Sequence, residues 1–153
     1  MTSHVTRAVE LFCSGCNCAQ AVFCAYEDLT GYSHEDAMRI SSSFGGGLGR
    51  MREVCGTMSG AAMVAGVLYG YTETDNDKTK AAHYKLIQDI ADRFRAKYGT
   101  IICRDLLKGI SDSTDPVPDA RTAEYYKKRP CARFVGAMAE ILDEILAGKE
   151  AES

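Results

Sequence analysis

GTMSGAAMVAGVLYGY, residues 56–71, is apolar around nearly its whole helical circumference. A stretch of this length without alternation reads as a buried central helix. Gly56 and Gly60 stand one turn apart, as do Ala62, Gly66 and Gly70. Small residues at that spacing give a helix a smooth side against which another backbone can lie closely. In water this indicates tight packing and implies no membrane dimer. The open alternatives are a wholly internal helix and one with a face toward a second copy of the chain, as in a homodimer.

Outward from this helix the pattern stays helical. Before it lies SSSFGGGLGR, residues 41–50, where four glycines in five positions exclude a helix. After it, the polar link TETDNDK leads into a long amphipathic helix with Tyr84, Ile87, Ala91, Phe94 and Tyr98 on its predicted buried face and Gly99 as its C-terminal cap. TIICRDLL is a short segment, followed by KGISDSTDPVPD, whose prolines, Ser and Asx residues forbid regular structure. The last helix is predicted to start near Pro130, with Phe134, Met138, Ile141 and Ile145 facing inward. At the other end, Val5, Ala8, Val9 and Phe12 recur at helical spacing, and AQAVFCAYEDL resumes the pattern after SGCNC until Gly31. These are two helices or one bent helix. Ser33 is a predicted N-cap for a short helix through Met38 and Ile40. No alternating strand, repeat or low-complexity tract is seen. The expected fold class is all-α: a compact helical bundle with long irregular links, one domain over residues 1–153.

Composition narrows the function classes. A chain of 153 residues with 46% hydrophobic content builds a core without disulfide staples. The formal charge is −3, and Lys and Arg are scattered rather than striped, which argues against nucleic acid. MTSHVTRAVELF has no apolar run of signal-peptide length, and no stretch is long enough to span a bilayer, so no membrane association and a cytoplasmic location are expected. Seven cysteines are many for such a chain, and an odd number cannot all pair internally. In a reducing cytoplasm thiols of this kind serve metal binding or catalysis more often than structure.

Position separates the seven. Cys18 opens NCAQAV, Cys55 opens CGTMSG, Cys103 opens CRDLL and Cys131 follows Pro130, so each lies at or just before a predicted helix start. Free backbone N–H groups and the positive end of the helix dipole favour a thiolate there. Four such sulfurs suit an iron-sulfur cluster or a zinc ion if the helix ends converge. The glycines of residues 45–49 would let backbone approach an inorganic group, or else simply make a tight turn. Arg50 and Arg52 stand where their charge could stabilise anionic sulfur, or where they are ordinary surface charges. GGGLGR follows no predicted strand and lacks the spacing of a nucleotide-binding loop.

Cys13, Cys16 and Cys18 form CSGCNC, which contains a CxxC spacing. Three roles are open for Cys13 and Cys16: extra metal ligands, a redox dithiol beside the main site, and none. Cys24, among Val22 and Phe23, reads as core. His4, His34 and His83 lie far apart in polar surroundings and read as surface histidines. The neighbouring pairs Glu27 with Asp28 and Asp143 with Glu144 point different ways along their helices and are not expected to converge on a substrate.

NCAQAVF, then FGGGLGRMREVCGTMSGAAMVAGVLYG, then CRDLL and RPCARFV together resemble the C_GCAxxG_C_C family of redox-active proteins over most of the chain. The family's Cys-Gly-Ala-x-x-Gly element stands here as Cys55-Gly56-Thr57-Met58-Ser59-Gly60, with Thr57 in the alanine position. The resemblance implies a redox role and four functional cysteines, carried onto Cys18, Cys55, Cys103 and Cys131. Similar domains occur in iron-sulfur-containing cytochromes, which implies a cluster rather than a plain dithiol, although no haem-attachment CxxCH is present. Cys13 and Cys16 fall outside the family pattern.

Three functions follow as expectations. The first is an electron-transfer or redox protein holding an iron-sulfur cluster, served by a redox partner protein or a small electron carrier. The second is a metal-free thiol-disulfide oxidoreductase, for which CSGC is the best local feature. The third is a zinc-binding structural module for protein interaction. No general acid or base stands beside the cysteines in sequence, so both enzymatic chemistry and simple electron passage are open.

Overall fold

Side-chain oxygens of Ser3, Asn17, Ser33, Asn76 and Thr122 cap five helix starts, and two glycines close helix ends in the left-handed conformation. A computed structural model describes residues 3–152, and among the described residues the elements are helical. They run α1 (His4–Cys13), α2 (Cys18–Cys24), α3 (Glu27–Thr30), α4 (His34–Ser42), α5 (Gly56–Tyr69), α6 (Asp77–Tyr98), α7 (Cys103–Leu106), α8 (Ala123–Lys128) and α9 (Cys131–Glu152). Ser33 accepts from the Asp36 N–H as predicted. Asn17 and Gln20 form a reciprocal capping box that starts α2 immediately after the break at residues 14–17. Gly31 ends α3 at φ 78° and Gly99 ends α6 at φ 84°, a backbone region that costs glycine little.

The most enclosed element is α2. Ala19, Ala21, Val22, Phe23 and Cys24 are buried, and the helix packs against α1, α4, α5 and α9. Its closest neighbour is α5, and the small residues there explain why. A Cβ on Gly56 would lie 2.9 Å from the Ala19 nitrogen, and one on Gly60 would lie 2.8 Å from the Ala19 carbonyl oxygen and 3.0 Å from the Val22 Cβ. The smooth side predicted from sequence is therefore real at Gly56 and Gly60. It ends there: a Cβ on Gly66 would meet nothing within 4 Å, Val67 is 42% exposed, and Gly70 is the C-cap. The helix is buried over its first part and surfaces beyond Ala65.

The long helices α6 and α9 complete the core. Phe134, Met138, Ile141 and Ile145 all face inward, as their spacing predicted. In α6 the buried residues are Leu86, Ile90, Ala91 and Phe94, whereas Tyr84 is 53% exposed and pairs its hydroxyl with that of Tyr71. Tyr84 precedes the buried stretch of α6, so the face read from sequence extends too far toward the N-terminus. The loop of residues 111–122 is irregular as predicted, but α8 follows it, capped by Thr122. Among the described residues no helix is long and apolar enough to cross a membrane.

One polar cluster corrects the reading of His4. His4 is no free surface residue: its Nδ1 lies 2.8 Å from Asp143 Oδ1, its Nε2 lies 2.9 Å from Asp28 Oδ2, and its ring stacks on Tyr26 at 4.1 Å. The buried Tyr26 hydroxyl donates toward the Ala139 carbonyl at 2.8 Å and Asp143 at 2.9 Å. Asp28 and Asp143, one from each carboxylate pair, meet at His4 through tertiary packing of α1, α3 and α9, while Glu27 turns to Arg7 and Glu144 to Arg93, so neighbouring carboxylates diverge as expected. His34 is likewise engaged, with Nδ1 2.6 Å from Glu27 Oε1.

Candidate cysteine site

The four helix-start cysteines are gathered by two devices. Cys18 is the first residue of α2, Cys55 the N-cap of α5, Cys103 the first residue of α7 and Cys131 the first of α9. A short antiparallel pairing joins the segments before α5 and α7: the Cys55 N–H donates to the Ile101 carbonyl at 2.7 Å, and the Cys103 N–H to the Glu53 carbonyl at 2.7 Å. This fixes Cys55 beside Cys103. The close α2–α5 contact brings Cys18 to the same place, because a Cβ on Gly56 would come within 3.1 Å of the Cys18 Cβ.

The glycine-rich loop supplies the second device. Gly46, Gly47, Leu48, Gly49, Arg50 and Arg52 all have φ between 53° and 75°. A Cβ on Gly47 would stand 2.7 Å from both the Cys103 Cβ and the Glu53 nitrogen, so that position admits no side chain. Leu48, Arg50 and Arg52 hold a left-handed backbone that costs any non-glycine residue energy. For Arg52 the result is an inward turn. The guanidinium of this arginine is buried, the residue being 1% exposed, with Nε donating to the Ser113 carbonyl at 2.9 Å and Nη1 reaching Cys103 Sγ at 3.7 Å. Among the described residues no carboxylate pairs with it.

All four cysteines line one cavity of about 690 Å³, together with Arg50, Arg52, Arg121 and Arg129 and a single carboxylate, Asp119. Arg50 and Arg129 both pair with Asp119. Arg121 donates to the Phe12 and Cys16 carbonyls and lies over the rings of Phe12 and Tyr125. Cys13 and Cys16 are not in this lining. Cys13 is exposed, and the buried Cys16 thiol faces the Met38 sulfur at 3.7 Å.

The expectation of anionic sulfur at all four helix starts is met by one. A hydrogen bond from the Cys18 thiol, with Arg129 and Arg121 nearby, outweighs burial at Cys131 and brings it down to about 7. The same bond, followed by burial, pushes Cys18 up. Burial pushes Cys55 up to about 11, against the hydrogen bond it shares with Thr57 Oγ1 at 3.1 Å. Burial also raises Cys103, partly countered by Arg52. Desolvation therefore exceeds the local helix-end field at Cys18, Cys55 and Cys103, the last even with the Arg52 guanidinium beside it. Because the thiolate is the reactive form, iodoacetamide added to metal-free protein is expected to alkylate Cys131 first of the four near neutral pH, with Cys55 reacting only in alkali. Peptide mass mapping checks the order, and equal labelling of both at neutral pH would contradict it.

The donor set fits a metal-sulfur group: four thiols on one cavity, close backbone at Gly47, and buried positive charge awaiting an anion. A model of the family described as "Putative redox-active protein (C_GCAxxG_C_C)" matches residues 16–145. Neither a curated protein nor a solved structure shows a match to the chain.

Proposed function

Because the chain belongs to the C_GCAxxG_C_C family of redox-active proteins, we propose that Cys18, Cys55, Cys103 and Cys131 together hold an iron-sulfur cluster. When bound, the cluster supplies one-electron redox chemistry. The protein then passes electrons to or from a partner protein or a small carrier, in a cytoplasmic setting that keeps thiols reduced.

The observation that carries this reading is Arg52. A buried guanidinium without a carboxylate is costly unless an anion faces it, and the nearest candidate is the sulfur of Cys103. Four thiolates would convert that cost into attraction. Arg129 and Arg121 do the same beside Cys131. In this reading Thr57 orients Cys55, the Gly47 backbone closes one wall, and the raised thiols release their protons as the metal binds.

Anaerobic purification, iron and acid-labile sulfide analysis and a visible spectrum test the reading. Iron and sulfide are expected in the wild type, and each of Cys18→Ser, Cys55→Ser, Cys103→Ser and Cys131→Ser is expected to remove most of both. Cys13→Ser and Cys16→Ser should retain them. Absence of iron and sulfide after reconstitution would overturn the proposal, and colourless stoichiometric zinc would favour a structural module.

A second reading has its own support. Cys18 and Cys131 share the cavity and influence one another's thiols in opposite directions, which makes them a candidate dithiol pair. If the protein is a metal-free thiol-disulfide oxidoreductase, this pair is a better candidate than Cys13 and Cys16. Disulfide mapping at defined redox potentials would find a reversible Cys18–Cys131 bond.

A further inference from the structure

The C-terminal end of α2 carries a second constellation. Cys18 opens the helix in the large cavity, and Cys24 closes it six residues later, about 9 Å along the axis at 1.5 Å per residue. There the Cys24 sulfur, a Glu27 carboxylate oxygen and a His34 ring nitrogen all lie within 4.8 Å of one another. The three come from the end of α2, the start of α3 and the start of α4. None of them lines the large cavity.

We propose that Cys24, Glu27 and His34 bind one divalent cation of the zinc class, at a site separate from the four-cysteine cavity. A thiolate, a carboxylate and an imidazole are the ligand types zinc takes, and the mixture of soft sulfur with nitrogen and oxygen disfavours magnesium and calcium. Zinc bonds of about 2.0 Å to nitrogen and oxygen and about 2.3 Å to sulfur set separations of about 3.3 Å between the nitrogen and oxygen ligands and about 3.5 Å from each to the sulfur. Glu27 Oε1 and His34 Nδ1 are 2.6 Å apart and must open by about 0.7 Å, while the sulfur has at most about 1.3 Å to close.

The surroundings support the assignment. Arg7 Nη2 holds Glu27 Oε2 at 3.3 Å and leaves Oε1 to His34, the arrangement of an outer group that orients a ligating carboxylate. Cys24 is fully buried, whereas the His34 side chain is 54% exposed, which gives a cation a way in from solvent. The Cys24 thiolate and the Glu27 carboxylate balance a double positive charge. On binding, the Cys24 S–H bond breaks, an S–metal bond forms and the proton passes to buffer. Three protein ligands leave the fourth position open to water.

Equilibrium dialysis of metal-depleted, full-length protein against zinc, with cobalt as the spectroscopic probe, tests the site. His34→Ala alters an exposed side chain and should keep the fold. At zinc concentrations that saturate the wild type it is expected to bind one equivalent fewer, a weakening of more than about 100-fold, since loss of an outer-shell partner alone costs up to about that much. Cys24→Ala should lose the same equivalent and the corresponding thiolate-to-cobalt absorption. If that variant does not fold, Glu27→Gln takes its place in the dialysis. Metal held by the four-cysteine cavity is common to all these proteins and cancels in the comparison. Unchanged stoichiometry in His34→Ala, or loss in His34→Ala with full retention in the second variant, overturns the proposal.

Discussion

Arg52→Met is expected to weaken iron retention by at least about 100-fold while changing the stability of the metal-free chain by only about 1 kcal/mol. The asymmetry follows from what the guanidinium faces. In the metal-free chain the Cys103 thiol beside it is held protonated by burial, so Arg52 is a buried cation without a counter-anion. Its removal relieves that desolvation and sacrifices the hydrogen bonds to Ser113 and Ser111, terms that nearly offset one another. With four thiolates in place the same substitution strips a buried anion of its partner, which costs about 3–5 kcal/mol. Iron release to a chelator measures the first quantity, and urea denaturation of metal-free protein measures the second. Equal losses in both states would mean that Arg52 is only a brace for the loop of residues 111–115. Arg52→Lys, which keeps the charge but not the planar fork, should fall between.

Gly60→Val is expected to cost about 3 kcal/mol and to empty the cysteine site from a distance. Its first added carbon would already stand 2.8 Å from the Ala19 carbonyl oxygen, which belongs to backbone and cannot rotate away. The branched side chain therefore pushes α2 from α5, and Cys18 travels with α2. A melting temperature lower by roughly 6–12 °C should accompany loss of iron. Gly66 provides the opposite result within the same helix. A Cβ there meets nothing, so Gly66→Ala should raise stability by about 0.5–1 kcal/mol through reduced backbone entropy in the unfolded chain. If both substitutions move the melting temperature the same way, the packing role given to Gly60 is wrong.

Local chemistry made much of the fold legible in sequence. Ser33 and Gly99 announce their caps, and the inward face of α9 is written in Phe134, Met138, Ile141 and Ile145. The helix-start placement of the four cysteines was readable for the same reason, since a cap and a first turn are local events. What sequence could not show is built from long-range contact. Arg52 is drawn inward by a partner 61 residues away, and His4 meets Asp143 at a separation of 139 residues. Tyr84 was misread because periodicity says which residues share a face and nothing about where the neighbouring helix stops. Cys24, Glu27 and His34 carried a weak signal, three ligand types within eleven residues, but two turns separate them and only the folded chain shows that they meet.

The His4 clasp also has a consequence for how the protein is made. It binds α1, which leaves the ribosome before the rest of this fold, to Asp143 in α9, and the same α9 begins with Cys131. Until that helix has emerged and docked, α1 lacks its partner and the cavity lacks its fourth wall. The earlier cysteines can only wait in an open, incomplete cup during elongation, which proceeds at roughly 5–20 residues per second. A complete cavity therefore exists only once α9 has docked, so a group bound by all four cysteines would enter after α9 has left the ribosome.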